Sequence, residues 1–145
     1  MTHHELLRKL GETAGIELEL SGASTAAVKF DGDEVNFESN GDRLYIYADI
    51  ASAEGREADF GKLLELNNLF AGTDGAAIDL DRGRGTFTLC RMVEGDVEYA
   101  AFERAVAGFV TALRLVRREL AEGGDSASAP QPAFGPHPDG PFMQV

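Results

Sequence analysis

Tryptophan is absent from this chain of 145 residues, cysteine occurs once, and the first 122 residues contain no proline. A single thiol, Cys90, can close no internal disulfide and cannot complete a thiolate-based zinc site, so the sequence suits a reducing compartment. Basic residues are scarce: 13 Lys and Arg stand against 25 Asp and Glu, a formal net charge of −12. Phosphate contacts require a basic face and anionic lipid attracts one, which excludes nucleic acid and anionic membrane surfaces as partners. Long hydrophobic runs are missing too. No stretch approaches the ~18 apolar residues of a membrane span, and the amphipathic N-terminus lacks the continuous apolar core of a signal peptide. The expectation is a cytoplasmic chain with no membrane insertion.

What is present is a hydrophobic fraction of 43% in a length that suits one domain, enough to bury a core and too much for a disordered acidic protein. Composition changes near residue 123. All five prolines and the residues Phe134, Phe142 and Met143 fall in the segment 123–145, which carries two acids and no Lys or Arg. Residues 1–122 therefore hold 13 basic and 23 acidic groups, a net charge of −10. The expectation is a folded domain over 1–122 and a flexible Pro/Gly-rich tail over 123–145, its aromatic residues being possible anchors for docking.

Within the body, Leu6, Leu7, Leu10 and Ala14 mark one face of a helix over residues 2–14, with capping-box spacing from Thr2 to Glu5 and a stop at Gly15. Three alternating runs follow, around Val28–Phe30, Val35–Phe37 and Leu44–Ile50. Asp31-Gly32 and Asn40-Gly41 between them signal tight hairpins. A second helix is expected over residues 58–72. Its apolar positions cover an arc of roughly 220°, wider than one sheet contact needs, which points to a second copy of the chain. Strands over 76–81 and 86–92 come next. A last helix, for which Asp96 can serve as cap, carries the seam Phe102, Val106, Phe109, Leu113, Val116 and Leu120. Helices separating runs of strands indicate an α+β fold, a five-stranded antiparallel sheet with three helices in the order α-β-β-β-α-β-β-α.

Catalytic chemistry finds no footing in these residues. His3 and His4 are adjacent on a first turn and His137 lies in the tail, so none adjoins a nucleophile. Nothing near Cys90 would lower its pKa. Asp31/Asp33 and Asp79/Asp81 lack the ligand series of a calcium loop, and Arg82-Gly83-Arg84-Gly85 lacks a phosphate-loop signature. An acidic domain of this kind is expected to bind protein rather than act as an enzyme, and to need no cofactor or metal. Tyr45, Tyr47, Cys90 and Met92 share the second strand face, which is either covered by a helix or left open for interaction.

Taken together, the helix Leu6-Leu7-x-x-Leu10, the stretch Leu63-Leu64-Glu65-Leu66-Asn67-Asn68-Leu69-Phe70, the turn Thr73-x-Gly75-Ala76 and the long last helix with Phe109 near its middle resemble the class I type III secretion chaperones, or Tir chaperone family. The resemblance covers residues 4–121. It implies a homodimeric, non-enzymatic bacterial cytosolic protein that binds the N-terminal segment of a secreted effector and keeps it extended for export. It further implies that the first helix and first three strands bind the partner, with Leu6, Val28, Phe30, Val35, Phe37 and Tyr45 as candidates. The second helix and the strands after it would form the dimer through Leu66, Leu69, Phe70 and Cys90. The Pro-rich tail lies outside the family pattern. Alternatives are a regulatory module of the YbjN-like type, similar in element order, or a small-ligand-binding domain on the sheet face.

Overall fold

Thr2 opens the first helix, α1 (His3–Ala14), with the capping box its spacing predicts: its hydroxyl accepts from the Glu5 N–H, and the Glu5 carboxylate accepts from the Thr2 N–H. Gly15 ends the helix in the left-handed conformation. The glycine inside α1 has a packing reason. The chain doubles back after Gly15, and a Cβ on Gly11 would lie 2.7 Å from the Ile16 carbonyl oxygen and 2.9 Å from the Leu18 Cβ. Gly11→Ala is therefore expected to lower stability by about 1–3 kcal/mol, although alanine is the better helix former by about 1 kcal/mol. A thermal melt of the variant reads the sign directly.

The computed structural model describes residues 1–123. The expected tail, with Phe134, Phe142 and Met143, lies outside the described residues apart from Gly123. The five strands are β1 (Thr25–Phe30), β2 (Asp33–Asn40), β3 (Arg43–Ser52), β4 (Ala77–Asp81) and β5 (Thr86–Glu94), all antiparallel in the order β1-β2-β3-β5-β4. Asp31-Gly32 makes the first two-residue turn with both φ angles positive, and Gly41-Asp42 makes the second with only its glycine positive. These match the two hairpin turn types whose twist suits antiparallel strands.

The inward sides of the strands bury Val35, Phe37, Leu44, Ile46, Phe87 and Leu89. Against them lies α3 (Tyr99–Gly123), whose whole expected seam from Phe102 to Leu120 is buried. Each such side chain contributes about 1.5–3 kcal/mol of transfer free energy, so α3 is the main lid of the core. Asp96 does not cap it. The helix starts three residues later, and the Asp96 carboxylate instead pairs with the amino group of Met1.

The second helix departs from the expected 58–72. A 3-10 turn over Glu57–Asp59 leads into α2 (Phe60–Asn67), and a second 3-10 turn over Asn68–Phe70 follows. Leu69 and Phe70 have φ of 53° and 56°, so they leave the helical path and the continuous 220° arc does not form. Two contacts explain the break. The Asn67 side chain turns aside to bind the main chain of Ile78, donating at 3.0 Å and accepting at 2.7 Å. The chain then returns so close to α2 that a Cβ on Gly72 would meet the Leu66 side chain at 2.9 Å. α2 lies on the same sheet face as α3: Phe60 packs edge-on to the inward Phe87, and Arg56 and Lys62 donate to the carbonyls of Leu120 and Glu119.

Candidate partner-binding surfaces

The two sheet edges differ. In the two-residue hairpin, Phe30 pairs with Asp33, Val28 with Val35 and Ala26 with Phe37 as the hydrogen-bonded set, so Thr25, Ala27 and Lys29 turn their main-chain groups outward. The Ser21 N–H occupies the Thr25 carbonyl at 2.7 Å. Ala27 and Lys29 have no main-chain or side-chain partner on that edge among the described residues. On β4 the outward residues are Ile78 and Leu80, and Ile78 is clamped at both N–H and C=O by Asn67. An unpaired edge invites another strand and a clamp resists it, so β1 is the more open of the two edges.

Beside the last residue of β1 runs a groove of about 360 Å³ between α1 and α3, lined by Leu10, Phe30, Val106, Ala107 and Val110. Arg114, at one end of its lining, belongs to a charge cluster. Asp33 accepts from Arg114 at 2.8 Å and from Arg117 at 2.7 Å, and Arg117 also donates to the Asp49 carbonyl at a bulge in β3. The Arg114 hydrogen bond, aided by Arg117, holds the Asp33 carboxyl below its ordinary pKa. A depressed pKa in the folded state means stability that is present above the ordinary aspartate value of about 4 and lost as pH falls through the folded one. Protection factors for amide exchange at β1 and β2, which correct for the slower intrinsic exchange in acid, are expected to fall in that acid window, and Asp33→Asn should show lower protection already at neutral pH.

Among the described residues no helix covers the opposite face of the sheet. Tyr47 stands opposite Cys90 and Tyr45 opposite Met92, and Tyr45, Tyr47 and Cys90, flanked by Asn36, Glu38 and Thr88, floor a hollow of about 670 Å³. Of the two outcomes expected for this face, the described residues leave it uncovered. Burial, with Asp79 and Glu38 nearby, pushes the Cys90 thiol up, so it is not an activated nucleophile.

A third surface joins α2 to β4. Phe60, Leu63, Leu64, Ile78 and Leu80 surround an apolar cleft of about 220 Å³, with Leu64 68% exposed and Leu80 39%. Next to it in sequence, Leu69 is 88% exposed and Phe70 52% exposed, both held in the left-handed region that costs a bulky residue about 1–2 kcal/mol. Exposed apolar side chains on strained backbone mark a segment shaped for something other than the protomer's own core.

The residues expected to bind a partner separate on this structure. Leu6, Val28, Val35 and Phe37 are sealed in the core, which corrects their placement on a surface: α1 and α3 cover the side of the sheet to which they point. Phe30 is half-buried in the α1–α3 groove, and Tyr45 lies half-buried on the uncovered face. Of the residues expected at a dimer contact, Leu69 and Phe70 are exposed, Leu66 is half-buried against the core, and Cys90 belongs to the uncovered face. Sequence reasoning missed Asn67 as a clamp, whose only signal is an amide within an apolar helical stretch. It also missed Leu64 and Leu80, which the core pattern absorbs.

No curated protein sequence matches the chain. Solved structures share its fold. The HopA1–SchA chaperone–effector complex matches at 17% identity, over 79% of this chain and 91% of that one, with a TM-score of 0.66. The ExoU–SpcU heterodimer from the type III secretion system of Pseudomonas aeruginosa matches at 18% identity, over 79% and 95%, with a TM-score of 0.61. YbjN from E. coli matches at 12% identity, over 82% and 92%, with a TM-score of 0.55. The model of the Tir chaperone protein (CesT) family matches residues 5–117, most of the folded part. By that match the chain belongs to the Tir chaperone protein (CesT) family.

Proposed function

We propose that this protein is a type III secretion chaperone that works as a homodimer in the bacterial cytoplasm. It binds the N-terminal segment of a secreted effector and keeps it extended and competent for export. The observation that carries this reading is the open β1 edge beside an apolar groove, in a member of a chaperone family. A segment laid along Ala27 and Lys29 gains main-chain hydrogen bonds, and its inward side chains enter the groove against Leu10, Phe30 and Val110. Held this way, the segment is ordered without folding, which suits a chain that must later thread through an export channel. Coupled ordering of this kind buries on the order of 1,000–3,000 Å² and offsets several kcal/mol of ordering cost.

Binding alone accounts for this action, with no chemical step and no cofactor. Among the described residues no helix is long and apolar enough to cross a membrane. The second copy docks through Leu64, Leu69, Phe70 and Leu80, and the clamp of Asn67 on Ile78 directs that contact to side chains instead of to a shared strand edge. Names of structural neighbours support the reading, since HopA1–SchA is described as a chaperone–effector complex. The test is co-expression with proteins encoded beside its gene. A soluble complex containing a secreted protein bound through its N-terminal segment is expected. Recovery of a small ligand with no secreted protein would overturn the reading.

A further inference from the structure

We propose that the hollow on the sheet face opposite α1 and α3 receives a cationic stretch of the bound polypeptide, with arginine or lysine side chains laid over Tyr45 and Tyr47 between Glu34, Glu38 and Asp79. This inference rests on the reading of the chain as an effector chaperone and adds the chemistry of what it selects.

The floor of the hollow offers two phenol rings and a thiol, and its rim carries the carboxylates of Glu34, Glu38, Asp49, Asp79 and Asp81. One cation lines it, Arg84, and that group is already committed. It holds Asp49 through two hydrogen bonds of 2.8 and 3.0 Å and Asp81 through a third of 2.8 Å. Glu34, Glu38 and Asp79 form no ion pair with any described residue. Asp79 also sits where burial raises its carboxyl, with no cation beside it to offset the cost. An incoming guanidinium or ammonium would supply that missing charge and stack on the tyrosine faces.

Charge also argues against a second copy as the occupant. A twofold interface sets a patch against itself, so the three unpaired carboxylates of each protomer would face their own equivalents. The α1–α3 groove is lined mainly by apolar side chains and the hollow mainly by acids and phenols. The fitting partner is a segment that is apolar in one part and cationic in another.

The probe is the decapeptide (Leu-Arg)5, titrated into the full chain with (Leu-Glu)5 as its opposite. We expect (Leu-Arg)5 to bind and to shift the ring resonances of Tyr45 and Tyr47, and (Leu-Glu)5 to do neither. The variant Glu34→Gln/Glu38→Gln/Asp79→Asn should bind it about tenfold more weakly or worse. Glu17→Gln/Glu19→Gln/Glu54→Gln, equal in net charge but remote from the hollow, should bind within about twofold of the parent. Equal losses in both variants would show bulk charge attraction and overturn the assignment, as would unshifted tyrosines. The effector complex separates the two readings. If it survives the first triple substitution and is lost on Phe30→Asp, the chaperone reading stands and the hollow is not part of it. If (Leu-Arg)5 seats in the hollow while no secreted protein is held, the hollow remains a site for cationic peptides and the chaperone reading falls.

Discussion

Replacing Phe30 by aspartate is expected to weaken the complex with the secreted segment by about a hundredfold or more. Phe30 is the aromatic wall of the α1–α3 groove at the end of the open strand β1. Losing its contact removes about 2 kcal/mol of apolar burial, and an aspartate there must be desolvated when the segment docks. Either effect alone approaches the ~2.7 kcal/mol that corresponds to a hundredfold change in affinity. Phe30 also packs on the rim of the core, so part of the loss could come from the fold. Ala107→Glu removes that ambiguity. Ala107 lines the same groove from an exposed position on α3, and glutamate is a good helix former there. Titration calorimetry on both variants should give the same direction, with melting temperature unchanged for Ala107→Glu. Undiminished affinity in both would remove the groove from the binding surface.

Leu69→Asp is expected to convert a homodimer into a monomer without destabilising the protomer. Leu69 is 88% exposed with φ at 53°, a conformation that aspartate tolerates better than leucine. In the isolated subunit the substitution therefore costs nothing and relieves some strain. In a twofold dimer each substitution is felt twice, so burying two carboxylates in place of two leucines costs about 4 kcal/mol or more, roughly a thousandfold in dissociation constant. Light scattering should give a mass near twice 15.5 kDa for the parent and near 15.5 kDa for the variant at micromolar concentration. A parent that is already monomeric there would contradict the dimer.

Local chemistry was legible wherever a few neighbouring residues decide the outcome. Thr2 and Glu5 announced the cap of α1, Asp31-Gly32 and Asn40-Gly41 announced the hairpins, the second turning one residue later at Gly41-Asp42, and the alternating spacing from Phe102 to Leu120 announced the buried face of α3. What stayed hidden depends on distant partners. Nothing local distinguishes Asn67 from an ordinary helical residue; its reason is the main chain of Ile78, eleven positions away. The same contact ends α2 early and throws Leu69 and Phe70 outward, so a wide apolar arc expected on one helix becomes an exposed turn. Likewise, alternation identified Val28, Val35 and Phe37 as apolar and on one side of their strands. Whether that side faces α1 and α3 or a partner depends on which face the helices choose. The neighbouring Phe30 escapes full burial because it sits at the end of β1, where the helices diverge into the groove.

The strand edge offers the most direct test of the central claim, that an extended segment of a secreted protein adds to β1. Amide hydrogen exchange is measured at single-residue resolution on the full chain, free and in complex with the N-terminal segment of the secreted protein it co-purifies with. In the free protein the outward amides of Ala27 and Lys29 should exchange rapidly, while those of Ala26 and Val28, paired with β2, exchange slowly. Binding should slow Ala27 and Lys29 by about a hundredfold or more and leave Ile78, already held by Asn67, unchanged. If Ala27 and Lys29 exchange at the same rate in the complex as in the free chain, no strand has been added and the account of binding at β1 is wrong.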